Sequence, residues 1–219
     1  MHPELVPRRD RPHATSIAVL LVAGLAAACG ADAPTDAPPA IPVPLLRDAS
    51  VPWQPAPIRL PDDQLAAAIR ACQGNQMIPA GGQIVLVDAR GRGRAMVLFT
   101  APGPTSGDCT VELDSNGFHP RSGSAMTGDP LAIVGPNDVQ TNGLGTEGGE
   151  TLNGLSTPAV SSLTGRVGAN VAAVQLIVAG QPILATIGNG WFAAWWPSAD
   201  APTRTIAIGR DGVPLPSAP

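Results

Sequence analysis

Proline and glycine occupy different parts of this chain, and that division constrains the fold more than any other feature. Each occurs 25 times in 219 residues, so together they reach roughly twice their average share. Residues 31–61 hold nine prolines and no glycine, whereas 23 glycines lie between Gly74 and Gly212. Proline fixes φ and keeps the preceding residue out of the helical region. The first stretch is therefore expected to be extended, a tether reaching up to roughly 90 Å. Its apolar members, among them Leu45, Leu46, Val51, Trp53 and Ile58, let Leu45–Leu60 lie against a folded body. Glycine at short intervals marks turns between short strands. A coiled coil or helical bundle is excluded. So is a wholly disordered chain, because 44 % of residues are hydrophobic and disorder goes with low hydrophobicity.

A helix is expected over about 62–73. Pro61 opens it, and Asp62 and Asp63 complement the helix dipole. Leu65, Ala68, Ile69 and Cys72 share one face, and Gly74 suits the stop. Strands follow. Ile84–Asp88 and Ala95–Thr100 flank a glycine turn and read as a hairpin. Cys109, Val111 and Leu113 alternate with polar residues, and Asn116-Gly117 reads as a turn. Residues 135–157 are polar, contain six glycines and read as a long loop. Five short strands are expected over 161–167, 171–178, 183–187, 190–196 and 203–208. The fold class is mainly β (α+β): an antiparallel sandwich- or barrel-like body with one N-terminal helix. It is expected to span 61–213, with sublobes 61–135 and 158–213 and a tail at 214–219.

The N-terminus carries a targeting pattern. Arg8, Arg9 and Arg11 precede Ile17–Ala28, an apolar run too short to span a bilayer, which takes about 20 residues. With Leu25-Ala26-Ala27-Ala28-Cys29-Gly30 it resembles a bacterial lipoprotein signal peptide. The resemblance implies removal of residues 1–28, lipidation of Cys29, and a tether over 29–60. It implies a location outside the cytoplasm, on the outer face of the cell membrane. Ala26 stands where the lipoprotein pattern most often has Leu, and Ala26-x-Ala28 also suits ordinary signal peptidase. Plain secretion and an uncleaved anchor therefore remain open. With Cys29 lipidated, Cys72 and Cys109 are left as a pair for a disulfide, a bridge contributing about 4 kcal/mol. Two inert buried thiols are the alternative. Cleavage leaves 10 arginines against 15 acidic residues, which argues against nucleic acid as a partner.

Gly190-Trp191-Phe192-Ala193-Ala194-Trp195-Trp196-Pro197, preceded by Thr164-Gly165-Arg166-Val167 and Ala185-Thr186-Ile187-Gly188-Asn189, is similar to a C-terminal pattern of uncharacterised secreted and lipid-anchored actinobacterial proteins. That resemblance implies compartment and fold style and carries no activity. The segment holds Trp191, Phe192, Trp195 and Trp196, four of the chain's seven aromatic residues. In a strand, Trp191 and Trp195 face opposite to Phe192 and Trp196. Either the strand is central and covered on both sides, or one ring face is a binding platform for cell-wall glycan or an envelope protein.

Other chemistry is sparse. His119 is the one histidine beyond the leader, so a serine hydrolase must use it; Ser122 and Ser124 are near in sequence but lack a nucleophile-elbow frame. A solvated loop position is the plainer reading. Gly143-Leu144-Gly145-Thr146-Glu147-Gly148 spells a dinucleotide fingerprint without the strand-to-helix context that fingerprint needs. Asn137, Asp138, Asn142, Glu147, Glu150 and Asn153 offer oxygen ligands in no recognisable calcium spacing. Asp114-Ser115-Asn116-Gly117 opens like a calcium loop and then departs from it. Arg90, Arg92 and Arg94 are expected to keep a hairpin tip solvated, or to meet anionic headgroups or wall polymers. No catalytic residue, metal or cofactor is assigned. The functional expectation is a non-catalytic, lipid-anchored envelope module that binds or interacts. The alternatives are a wall-glycan hydrolase using carboxylates such as Asp88, Glu112 and Asp114, and an accessory structural subunit.

Overall fold

The computed structural model describes residues 52–216 apart from 92, 104, 115, 128–133, 150, 153–154 and 157. The leader, Cys29 and the tether up to Val51 lie outside the described residues. The described chain opens with an extended segment that packs on the body. Gln54 N–H donates to Arg90 O at 2.7 Å and Ile58 N–H to Ala89 O at 2.6 Å. Ile58 and Leu60 are buried, so residues 52–60 belong to the folded body rather than to a tether ending at 60.

Helix α1, Asp62–Gly74, follows with both aspartates in its first turn. Ala68 and Cys72 are fully buried, and Leu65 and Ile69 pack beside them. Cys72 is joined by a disulfide to Cys109, with Cα atoms 6.0 Å apart.

Cys109 lies in the first sheet, an antiparallel meander of β1 (Gln83–Ala89), β2 (Arg94–Ala101), β3 (Thr105–Asp114) and β4 (Gly117–Thr127). Ala95, Val97 and Phe99 of β2 join the core under α1. Met96 and Leu98 point the other way, into a second core. Period-2 alternation between two covered faces makes β2 an unbroken apolar run.

The second sheet runs β11 (Thr186–Gly188), β12 (Trp191–Trp196), β8 (Val160–Val167) and β5 (Val139–Glu147), in that spatial order. A short ribbon, β6 (Thr151–Leu152) with β7 (Leu155–Ser156), lies between β5 and β8 in sequence. The third sheet places β9 (Ala173–Val178) between β10 (Gln181–Leu184) and β13 (Pro202–Ile208). All pairings are antiparallel, and the sheets stay open rather than closing into a barrel. Helix, first sheet, second sheet and third sheet follow one another through three apolar cores.

Strand β12 is therefore covered on both sides. Trp191, Ala193 and Trp195 meet Leu86, Met96 and Leu98 of the first sheet. Phe192, Ala194 and Trp196 meet Val174, Leu176 and Ile183 of the third. Every side chain of β12 is buried.

Three expectations are corrected. Residues 135–157 are not one loop: β5 pairs with β8 along its length, with a register shift between Thr141 and Gly143. It is a polar, mostly exposed edge strand and carries no apolar period to read. The run 183–187 is two strands. At Ala185 the chain leaves the third sheet for the second, and Ala185 N–H donates to Val174 O at 2.8 Å. Arg90 does not solvate a hairpin tip. Its side chain and that of Asp88 are both 0 % exposed. Nε and Nη2 donate to the two Asp88 carboxylate oxygens at 2.8 and 3.1 Å. Arg90 also donates to Pro55 O and Leu184 O, and Thr186 Oγ1 donates to Asp88. Four hydrogen bonds and full desolvation make the guanidinium a junction between the N-terminal segment, β1 and the sheet-switching corner.

Candidate functional site

Between the first and second sheets, one side of the contact is apolar and the other is polar. On the first sheet, Arg94, Met96 and Leu98 of β2 oppose Glu112, Thr110 and Asp108 of β3. Thr110 and Asp108 in turn oppose Ser122 and Ser124 of β4. The face thus grades from Leu98 and Met96 to a row of carboxylates and hydroxyls. The second sheet meets it with Trp195 of β12, Val160 and Ser162 of β8, and Glu147 at the end of β5. The sheets part here around a cleft of about 380 Å³ lined by Arg94, Glu112, Arg121, Glu147 and Trp195, with Pro158, Val160 and Pro197 as apolar wall. A narrow extension of about 10 Å³ reaches Met96, Thr110 and Ser162.

Ion pairs organise the charges. Arg94 is 11 % exposed and holds Glu112 Oε1 with Nη2 at 2.6 Å and with Nε at 3.3 Å. Arg121 Nε reaches the other Glu112 oxygen at 3.2 Å. Arg94 Nη1 stands 3.9 Å from Glu147 Oε2, beyond hydrogen-bond range. Ser122 Oγ donates to Glu147 Oε1, and Ser124 Oγ donates to Asp108. Burial pushes the Asp108 carboxyl above its ordinary range; the Ser124 hydrogen bond pulls against this, and the nearby Glu147 charge adds to the rise.

Trp195 forms the inner wall. Its ring is 2 % exposed, and Arg94 Cζ sits 5.8 Å from the ring centroid, a cation–π distance. Its Nε1–H is buried with no acceptor, whereas Trp53 Nε1–H donates to Trp195 O and Trp196 Nε1–H to Asp200 O. A buried donor without a partner costs roughly 1–3 kcal/mol.

The residues expected to form sites are dispersed. Trp191, Phe192, Trp195 and Trp196 are all at most 5 % exposed, so the ring platform is not at the surface; these rings are core, and Trp195 alone also borders a cleft. Asp88, Glu112 and Asp114 do not converge: Asp88 is locked to Arg90, while Asp114 bonds Asn116 N–H and His119 at an exposed strand end. His119 lies in β4 rather than a loop, is 52 % exposed, and has Nε2 3.0 Å from Asp114 Oδ1. The Ser122 and Ser124 hydroxyls donate to carboxylates, not to the imidazole. The glycine fingerprint at 143–148 sits on strand β5 and its end, not at a strand-to-helix turn. Asn137 accepts from Asn170, Glu150 and Asn153 lie outside the described residues, and so does Arg92. Among the described residues no group of three His, Cys, Asp or Glu could hold a metal ion, and no helix is long and apolar enough to cross a membrane.

Arg121 lines the cleft, and Asp108 carries a carboxyl raised by burial; neither stands out in the sequence. The Arg94–Glu112 pair was within reach, because the β2–β3 register sets these two opposite each other. Asp108 gives no signal, since its burial and the Glu147 charge near it come from packing rather than from its place in β3. Compared with protein-family models, with curated proteins and with solved structures, the chain matches none.

Proposed function

We propose that this protein is a non-catalytic, lipid-anchored module of the bacterial cell envelope that binds a ligand in the cleft between its first and second sheets. The observation carrying this reading is the set of unused hydrogen-bonding groups around the cleft. Arg94 Nη1 and Glu147 Oε2 face each other across a gap too long to bond, and Arg121, 59 % exposed, engages Glu112 through Nε. Glu112 is committed to two guanidinium groups. A site whose charges are neutralised in place suits recognition better than proton transfer. The lipid anchor rests on the leader and Cys29, and the envelope location follows from it.

Two measurements test this. The full chain should incorporate labelled palmitate in a bacterial host, and Cys29→Ser should abolish incorporation. The full chain should sediment with insoluble wall material, and Arg121→Ala combined with Glu147→Gln should release it at unchanged melting temperature. No sedimentation, or sedimentation indifferent to the variant, overturns the reading.

Asp108 supports a second reading, a glycan hydrolase. Its raised carboxyl and the nearby Glu147 are two acids in unlike environments, the arrangement acid–base catalysis uses. New reducing ends released from wall glycan, and lost in both Asp108→Asn and Glu147→Gln, would establish it. No release removes it.

A further inference from the structure

The geometry points to a carboxylate carried on a compact apolar body as the ligand of the cleft, with Arg121 as the group that takes it; this deepens the binding reading above and rests on it. A β-bulge delivers that arginine. Strands β3 and β4 pair residue for residue except between Thr110 and Val111, which oppose Ser122 and Pro120 and leave Arg121 as the extra residue. A regular strand sends successive side chains to opposite faces. Here two successive side chains reach the same face: Arg121 Nε meets Glu112, and Ser122 Oγ donates to Glu147. Bulges re-aim side chains in this way and concentrate beside functional sites.

The arginine so placed is only half used. Arg121 is 59 % exposed and meets Glu112 through Nε, at 3.2 Å. Among the described residues, Nη1 and Nη2 have no acceptor. The edge they share is a planar two-donor fork, which the two oxygens of a carboxylate match. Arg94 holds the other Glu112 oxygen at 2.6 Å, so Glu112 stays where it is when a ligand takes the free edge. Arg94 also lines the cleft and keeps a second positive charge beside the incoming anion.

The surroundings favour a singly charged ligand with an apolar body. Glu112 and Glu147 already place two carboxylates around the opening. A phosphate group, with a charge of about −1.5 to −2 near neutral pH, meets more repulsion there than a carboxylate does. Pro158, Val160, Pro197 and Trp195 wall a space of about 380 Å³, and an apolar body buried against them adds affinity. A small free acid and the C-terminal end of a peptide both present this chemistry, a carboxylate beside a short apolar group.

The test is protein-observed NMR on the full chain, following the amide signals of Ser122 and Gly148. The probes are isobutyrate, acetyl-alanyl-alanine with a free carboxylate, the same peptide as its C-terminal amide, and inorganic phosphate. We expect saturable shifts with a carboxylate probe and none with the amide or with phosphate. Shifts with the peptide acid alone make the source a chain end, and shifts with isobutyrate alone make it a small acid; either supports the assignment. Arg121→Ala should abolish the shifts. Arg121→Lys keeps the charge and loses the fork, and it should weaken binding about tenfold. Both variants should keep the native melting temperature, because an exposed ion pair contributes little to stability. Equal binding of the acid and the amide, tighter binding of phosphate than of either acid, or indifference to Arg121→Ala overturns the assignment. Sedimentation with wall material without binding of either acid defeats this inference and leaves the binding reading standing; loss of both defeats both.

Discussion

Arg90 and Asp88, two residues apart at the end of β1, form a two-point ion pair in which both side chains are wholly buried. The pair is stapled to Pro55, Leu184 and Thr186, so one guanidinium joins the N-terminal segment, the first sheet and the corner between the other two. Removing one partner leaves an uncompensated charge in the core, which costs about 3–5 kcal/mol. Arg90→Met should lower the unfolding free energy read from denaturant titration by that much. Asp88→Leu added to Arg90→Met should recover part of the loss, because an apolar pair leaves no orphan charge.

The disulfide ties α1 to β3. Cys72→Ala with Cys109→Ala should reduce unfolding free energy by about 4 kcal/mol on the loop-entropy estimate. Reductant should lower the melting temperature of the native chain and leave the double variant unchanged.

Trp196 is 1 % exposed and fills the core between the second and third sheets. Trp196→Ala should cost about 3–5 kcal/mol. Loss of ligand binding at undiminished stability would show instead that this ring is a contact surface.

Gly165 opposes Phe192 and Thr141 across the second sheet. A Cβ there would stand 2.4 Å from Phe192 Cε1 and 2.1 Å from Gln140 O, and the latter is backbone that cannot swing away. Gly165→Ala should destabilise by about 1–3 kcal/mol, read as a drop in melting temperature.

Asp108 makes stability depend on pH. Its folded-state carboxyl ionises above the ordinary value of 3.8, chiefly through burial. Below 3.8 both states are protonated and the carboxyl exacts no penalty. As pH rises the unfolded chain ionises first, so this group's contribution falls until the folded carboxyl has ionised too. Asp108→Asn should therefore gain stability relative to the native chain from pH 3 to pH 7. A difference that is flat across that range would contradict this.

How much could be read beforehand follows from where each residue's partners come from. Helix α1 and strands β2 and β12 announce themselves, because alternation and helical spacing are local. The choice for β12 between a central strand and an exposed platform turns on what covers its second face, and that cover is the third sheet. Arg90 looked like a solvent-facing charge beside a glycine turn; its acceptors at Pro55 and Leu184 are remote in sequence. Strand β5 was invisible because an edge strand with Gly143 and Gly145 carries polar residues on both faces. The cleft is legible only in part for the same reason: Arg94 and Glu112 are register partners, while Glu147 and Trp195 reach them from another sheet.

The most direct test of the cleft as a binding site is the indole N–H spectrum of the full chain. Four tryptophan signals are expected, and Trp195→Phe identifies the one from the inner wall. On adding solubilised wall fragments, that signal should move selectively as a ligand fills the cleft that Trp195 walls, while those of Trp191 and Trp196 hold still. A Trp195 signal that stays in place at saturating fragment, or four signals that move together, would contradict the account.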